Sequence, residues 1–145
     1  MDARTDTARD RRPAGRIVSG VLAGVAAAMA VIAIVEALSG LVFPVPAIDF
    51  YDAEAARRAL SAMPVAAQAL VVGGWLLGAL VGAALAVAIG RQAWTGWFPA
   101  GSVLVGGVFN ALFIPHPWWM NVGAVVAPLL GGALGIALTR RFAQR

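Results

Sequence analysis

The stretch "VAAQALVVGGWLLGALVGAALAVAI", Val65–Ile89, carries one polar side chain, Gln68, and no charge. A helix needs about 20 apolar residues to cross a hydrocarbon core, so this segment reads as a membrane span. Within it, and on to the next residue, Gly74, Gly78, Gly82, Ala86 and Gly90 recur every four positions. A stripe of that kind lets helix backbones approach closely in lipid, where dispersion and backbone contacts replace the hydrophobic effect as the source of association.

Working outward, three more runs satisfy the same length rule: Ile17–Phe43, interrupted only by Ser19, Glu36 and Ser39; Trp97–Ile114; and Trp118–Leu138. At 1.5 Å per residue the first reaches roughly 40 Å, beyond a core of about 30 Å, so it should tilt or protrude. The third spans about 27 Å and can stand nearly upright. The fold class is therefore all-α, an integral membrane four-helix bundle, with spans at about 17–43, 65–89, 97–114 and 118–138 inside a domain covering 16–145. Loop 44–64 joins the first two spans. The arm 1–15 is polar and aperiodic, and is expected to be disordered.

Composition agrees. The 145 residues suit one domain, and charged residues make up 12% against 61% hydrophobic, where a soluble domain carries about 25% charge. The absence of cysteine excludes disulfides, thiolate metal sites and cysteine nucleophiles. A single histidine excludes most zinc sites. No cofactor, metal or catalytic set is expected. The net charge of +4 comes from arginines at the ends of apolar runs, a placement that fits membrane topology and not a nucleic-acid face. Abundant Ala, Gly, Val and Arg without lysine suggests a GC-rich bacterial genome. The first run is too long for a signal-peptide core of 7–15 residues and no cleavage site follows it, so an uncleaved span is expected.

Arginine counts give an orientation. Arg4, Arg9, Arg11, Arg12, Arg16, Arg91, Arg140, Arg141 and Arg145 fall on one side; Arg57 and Arg58 fall on the other, beside Asp49, Asp52 and Glu54. The positive-inside rule then puts both termini in the cytoplasm and loop 44–64 in the periplasm of a bacterial inner membrane. In that loop Asp52 can cap a short helix with Glu54 in its first turn. Phe50 and Tyr51 would anchor it at the headgroups. Three acids there invite a calcium reading, but no full ligand loop is present.

The second and fourth spans share a pattern. "LLGALVGAAL" (Leu76–Leu85) aligns with "LLGGALGIAL" (Leu129–Leu138), and "LVFPVP" (Leu41–Pro46) with "LFIPHP" (Leu112–Pro117). The chain thus reads as two tandem helical hairpins in the same orientation, the first with an inserted loop. Gly123, Ala127, Gly131 and Gly135 form a second stripe. Either stripe serves packing inside one bundle or a seam between copies in a homo-oligomer. Trp75 falls near the bilayer middle and is expected to fill a gap.

The polar residues of the bundle gather in its outer third. Glu36 lies about 10 Å below the boundary and Gln68, Asn110 and Asn121 about 6 Å below it, and His116 sits in the turn Pro115–Pro117. Trp118 and Trp119 mark an outer aromatic belt, Trp94 and Trp97 an inner one. A carboxylate in hydrocarbon is costly, so Glu36 should face the bundle, find a donor such as Asn110 or Asn121, or hold its proton. It reads either as a protonatable or cation-binding group, or as an interhelical hydrogen-bond partner. His116 reads first as an interfacial anchor. Pro128 should kink the fourth span and free the Ala124 carbonyl.

The pair "EALSGLVFPVPAIDFYD" and "NALFIPHPWWMN" resembles a pattern in small bacterial four-span membrane proteins that carry no assigned function. The resemblance covers most of the chain; it implies topology and no activity. Small multidrug exporters share an acid in the first span, but their dual topology conflicts with the arginine bias. The motifs of fluoride channels are not recognisable. The expectation is a non-enzymatic protein that binds a lipid, small solute or membrane partner at a collar of Glu36, Gln68, Asn110, His116 and Asn121. Glu36-dependent proton-coupled transport is the alternative. Membrane lipids are expected partners; nucleic acid is not.

Overall fold

A computed structural model describes residues 3–44, 52, 54–55, 58–59, 62–114 and 116–143. Four helices follow one another: α1 (Ala3–Val42), α2 (Val65–Gly90), α3 (Trp97–Phe113) and α4 (Trp118–Ala143), with a 3-10 turn, Ala93–Gly96, leading into α3. Four segments are long and apolar enough to cross a membrane: Ala14–Val42, Val65–Gly90, Ala93–Phe113, which takes in the 3-10 turn with α3, and Trp118–Arg140. The protein is thus an all-α, four-helix bundle with membrane-spanning dimensions. Helix α1 reaches back through the arm to Ala3, where disorder is expected from the sequence; extending an existing helix costs far less than nucleating one. In the loop, Asp52 Oδ1 accepts hydrogen bonds from the Glu54 and Ala55 backbone N–H groups at 2.9 and 3.0 Å, the geometry of a helix cap. Asp49, Phe50, Tyr51 and Arg57 lie outside the described residues.

Helix α2 is the hub. It packs on α1 along one side and on α4 along another, while α3 covers the groove they leave; among the described residues α1 and α4 do not pack together. The α1–α2 seam is built on glycine. A Cβ placed on Gly24 would stand 2.6 Å from the Gly82 carbonyl oxygen, and one on Gly82 would stand 2.6 Å from the Gly24 oxygen. Each α-hydrogen in the Cβ position is thus aimed at the other's carbonyl, a contact worth about 0.5–1 kcal/mol. Gly20 abuts the backbone of Ala86 and Gly90, and Gly78 that of Ala28. The partners descend in number along α2 as they rise along α1, so these two helices are antiparallel.

The α2–α4 seam joins the two matching segments of the sequence. Gly131 meets the Leu76 carbonyl and Ala79; Gly135 meets the Leu80 carbonyl and Ala83. Both numbers rise together, so α2 and α4 are parallel and the hairpins share one orientation. Both glycine stripes are therefore used within the chain. Between the helices Trp75 is buried in a cluster with Ala28, Ala79, Ala100, Val103, Met120, Ala124 and Ala127, consistent with the gap-filling role expected of it.

Helix α4 continues through Pro128, which is fully buried. Proline removes the hydrogen bond to the carbonyl four residues earlier. That carbonyl, of Ala124, faces Gly107 of α3, where a Cβ would stand 3.1 Å from it. At the end where the chain termini lie, Thr95 is wholly buried, with Oγ1 3.0 Å from the Ala86 oxygen and 2.7 Å from the Gln92 oxygen. It ties the 3-10 turn to α2.

Candidate functional site

The glycine seam does not run the length of the bundle. From the terminal end toward the loop, contacts across α1 and α2 pass from backbone at Gly24 (2.6 Å) to the Val35 side chain at Gly74 (3.3 Å), and Gly40 meets nothing within 4 Å. On α4, Gly131 and Gly135 touch α2 backbone while Gly123 touches only the Val72 side chain. The helices part toward the loop end, and bulkier side chains hold them there.

A cavity of about 270 Å³ occupies the space. Helix α1 supplies Glu36, Ser39, Gly40 and Phe43; α2 supplies Ala67, Gln68 and Val71; α3 and the turn after it supply Asn110, Ile114, His116 and Pro117; Met63 and Met120 complete the wall. Four of the five residues read as a collar from the sequence, Glu36, Gln68, Asn110 and His116, line this one space. The fifth, Asn121, is exposed and does not. Helical phase explains the difference. Met120 is buried at 3% exposure and takes the inward position at the start of α4; its neighbour stands about 100° around the helix.

Local contacts set the chemistry of the wall. Gln68 is 5% exposed and its Nε2 donates to the Met63 carbonyl at 3.3 Å. His116 Nδ1 lies 2.8 Å from the Ile114 carbonyl, so it is the donating nitrogen; in the neutral ring that leaves Nε2 as an acceptor. Glu36 makes no hydrogen bond or ion pair with another residue among the described residues, so the interhelical tie weighed from the sequence is not formed there. Ser39, 8% exposed, is a wall residue that the sequence reading passed over. The signal was present: Glu36, Ser39, Gly40 and Phe43 follow i, i+3, i+4, i+7 spacing, one face of a helix.

Beside the cavity lies a second space of about 270 Å³, lined by Val42, Phe43, Pro44, Ala59, Ala62, Met63 and Pro64. Among the described residues it is lined by no polar side chain, and it shares Phe43 and Met63 with the first. Trp118, 77% exposed, stands on the outside of the same end, and Trp94 and Trp97 on the outside of the opposite end. Among the described residues no three histidine, cysteine or carboxylate side chains gather as a metal site. No family model, curated protein or solved structure matches the chain.

Proposed function

We propose that the chain is a non-enzymatic binding protein of a bacterial inner membrane, recognising a lipid, small solute or membrane partner in the loop-end cavity. The observation that carries this reading is the convergence of Glu36, Gln68, Asn110 and His116 on one space from separate parts of the chain. A concave, mainly apolar site with a few placed polar groups is the usual form of a small-ligand pocket. The nine-to-two arginine bias supports cytoplasmic termini and a cavity near the periplasmic face. The resemblance to small bacterial four-span proteins supports the same setting. One histidine, one intramembrane acid and no cysteine leave a thin set for acid–base or metal chemistry, which favours binding over catalysis.

Native mass spectrometry of the purified protein tests the reading against Gly40→Phe, which places a ring at the cavity wall from a position with open space. A small species bound to the wild type and lost from the folded variant supports it. Identical adducts on both proteins would reduce the bound matter to annular lipid. Reporter fusions at Arg145 and in loop 44–64 test the orientation, and a periplasmic C-terminus would reverse it.

A second reading, Glu36-dependent proton-coupled transport, is favoured by one observation: the carboxylate is not engaged in a structural tie among the described residues. Proteoliposomes decide it. A substrate-driven proton flux lost in stable Glu36→Gln protein supports transport; no flux from the wild type removes it.

A further inference from the structure

We infer that the cavity takes an amphiphile with one protonated primary amine and a short apolar tail, the amine at Glu36 and the tail in the adjoining apolar space. The inference rests on the binding reading above and names the ligand's chemistry.

Charge comes first. Among the described residues Glu36 is the one charged side chain on the wall and no arginine lines it; the chain has no lysine. An anionic head would bring a second negative charge beside the carboxylate with no cation to offset it, a penalty enlarged by the apolar surroundings. A neutral head would offer no opposite charge to the carboxylate, which is exposed on the wall. An ammonium supplies the opposite charge and three donors. The wall offers acceptors to match: the Glu36 oxygens, His116 Nε2 in the tautomer set by Ile114, and the Asn110 amide oxygen. A quaternary ammonium has no N–H to donate and is held by cages of aromatic rings. Among the described wall residues only Phe43 and the His116 ring are aromatic, a set that favours a primary amine.

Shape comes second. The polar cavity and the apolar cleft meet at Phe43 and Met63, so a ligand crossing that boundary has a polar head and an apolar tail. Each space is about 270 Å³, below the roughly 300–1,000 Å³ of drug-sized sites; head and tail are both small. The amine could be carried by a free lipophilic amine or by an aminoethyl lipid headgroup.

The chain lacks cysteine, so Ser39→Cys gives a single reporter inside the cavity, with Val71→Cys, also on the wall, as the second should the first fail to fold. The protein is placed in phosphatidylcholine nanodiscs, and protection from a small thiol reagent is measured with decylamine, decanol, decanoate and decyltrimethylammonium. Decylamine should protect at concentrations at least about tenfold lower than decanol, the increment of a charged hydrogen bond, with the other two heads weaker than the amine. Adding Glu36→Gln should erase the amine's advantage and keep protection by decanol. Equal protection by decylamine and decanol would overturn the amine assignment and leave the binding function standing. Protection by none of the four, together with identical adducts on wild type and Gly40→Phe, would overturn both. Protection by phosphatidylethanolamine discs alone assigns the amine to a lipid headgroup; its absence alongside decylamine protection assigns it to a free amine.

Discussion

Two ends of one helix pair are built on different terms. Near the termini, Gly24 and Gly82 set each carbonyl against the other's α-carbon, and no side chain fits between them. Near the loop, Gly40 and Gly73 meet nothing within 4 Å, and a cavity opens between the same helices. Glycine is present at both ends, so composition alone does not make the contact. What differs is what α2 glycines meet on α1: Gly82 meets the backbone of Gly24 and Gly78 that of Ala28, whereas Gly74 meets only the Val35 side chain among its nearest atoms. The closed end fixes the crossing of the helices, and the open end inherits a gap with polar groups on its wall.

The comparison is broken most severely at the closed end. Gly82→Leu would drive a side chain into the Gly24 carbonyl and Pro99, and overpacking at such a seam costs about 3 kcal/mol or prevents folding. Thermal unfolding in detergent measures it, and a wild-type midpoint would show that the seam is not closed. A cost confined to a dissociated yet folded monomer would assign Gly82 to a contact between copies.

Thr95→Val sharpens the same end with less force. The hydroxyl has one proton for two carbonyls, those of Ala86 and Gln92. Removing it should cost about 1 kcal/mol in the same measurement, with hydrogen exchange rising first around Ala93–Gly96. At the loop, Asp52→Ala removes the acceptor for the Glu54 and Ala55 N–H groups. The loss, about 1 kcal/mol of local helix stability, should appear in exchange of those amides and leave the bundle's midpoint unchanged. Smallest of all is Gly73→Leu. On the same helix as Gly82, its Cβ meets open space, and the change should stay within about 0.5 kcal/mol. A large loss there would erase the distinction between the two ends.

Much of this was legible in the sequence because lipid imposes simple rules. Span length, the stripes on α2 and α4, and the gathering of Glu36, Gln68, Asn110 and His116 at one level all follow from counting residues. Two features escaped that counting. Gly20, Gly24 and Ala28 keep the same every-fourth spacing on α1 and supply the partner surface for α2, a signal overlooked among the many alanines around it. Asn121 was placed by depth alone, and depth does not fix helical phase; the turn before α4 decides that Met120 points inward.

The central claim is that one helix face is closed at one end and opens on a cavity at the other, and two positions on α1 test it directly. Ala28 is wholly buried against α2, and Ser39, eleven residues on and about 20° from it around the helix, lines the cavity. In otherwise cysteine-free protein, single Ala28→Cys and Ser39→Cys variants are compared by their rate of reaction with a small, water-soluble thiol reagent. The account predicts rapid modification of the Ser39→Cys protein and essentially none of Ala28→Cys without unfolding. Equal rates at the two positions, whether both fast or both blocked, would contradict it.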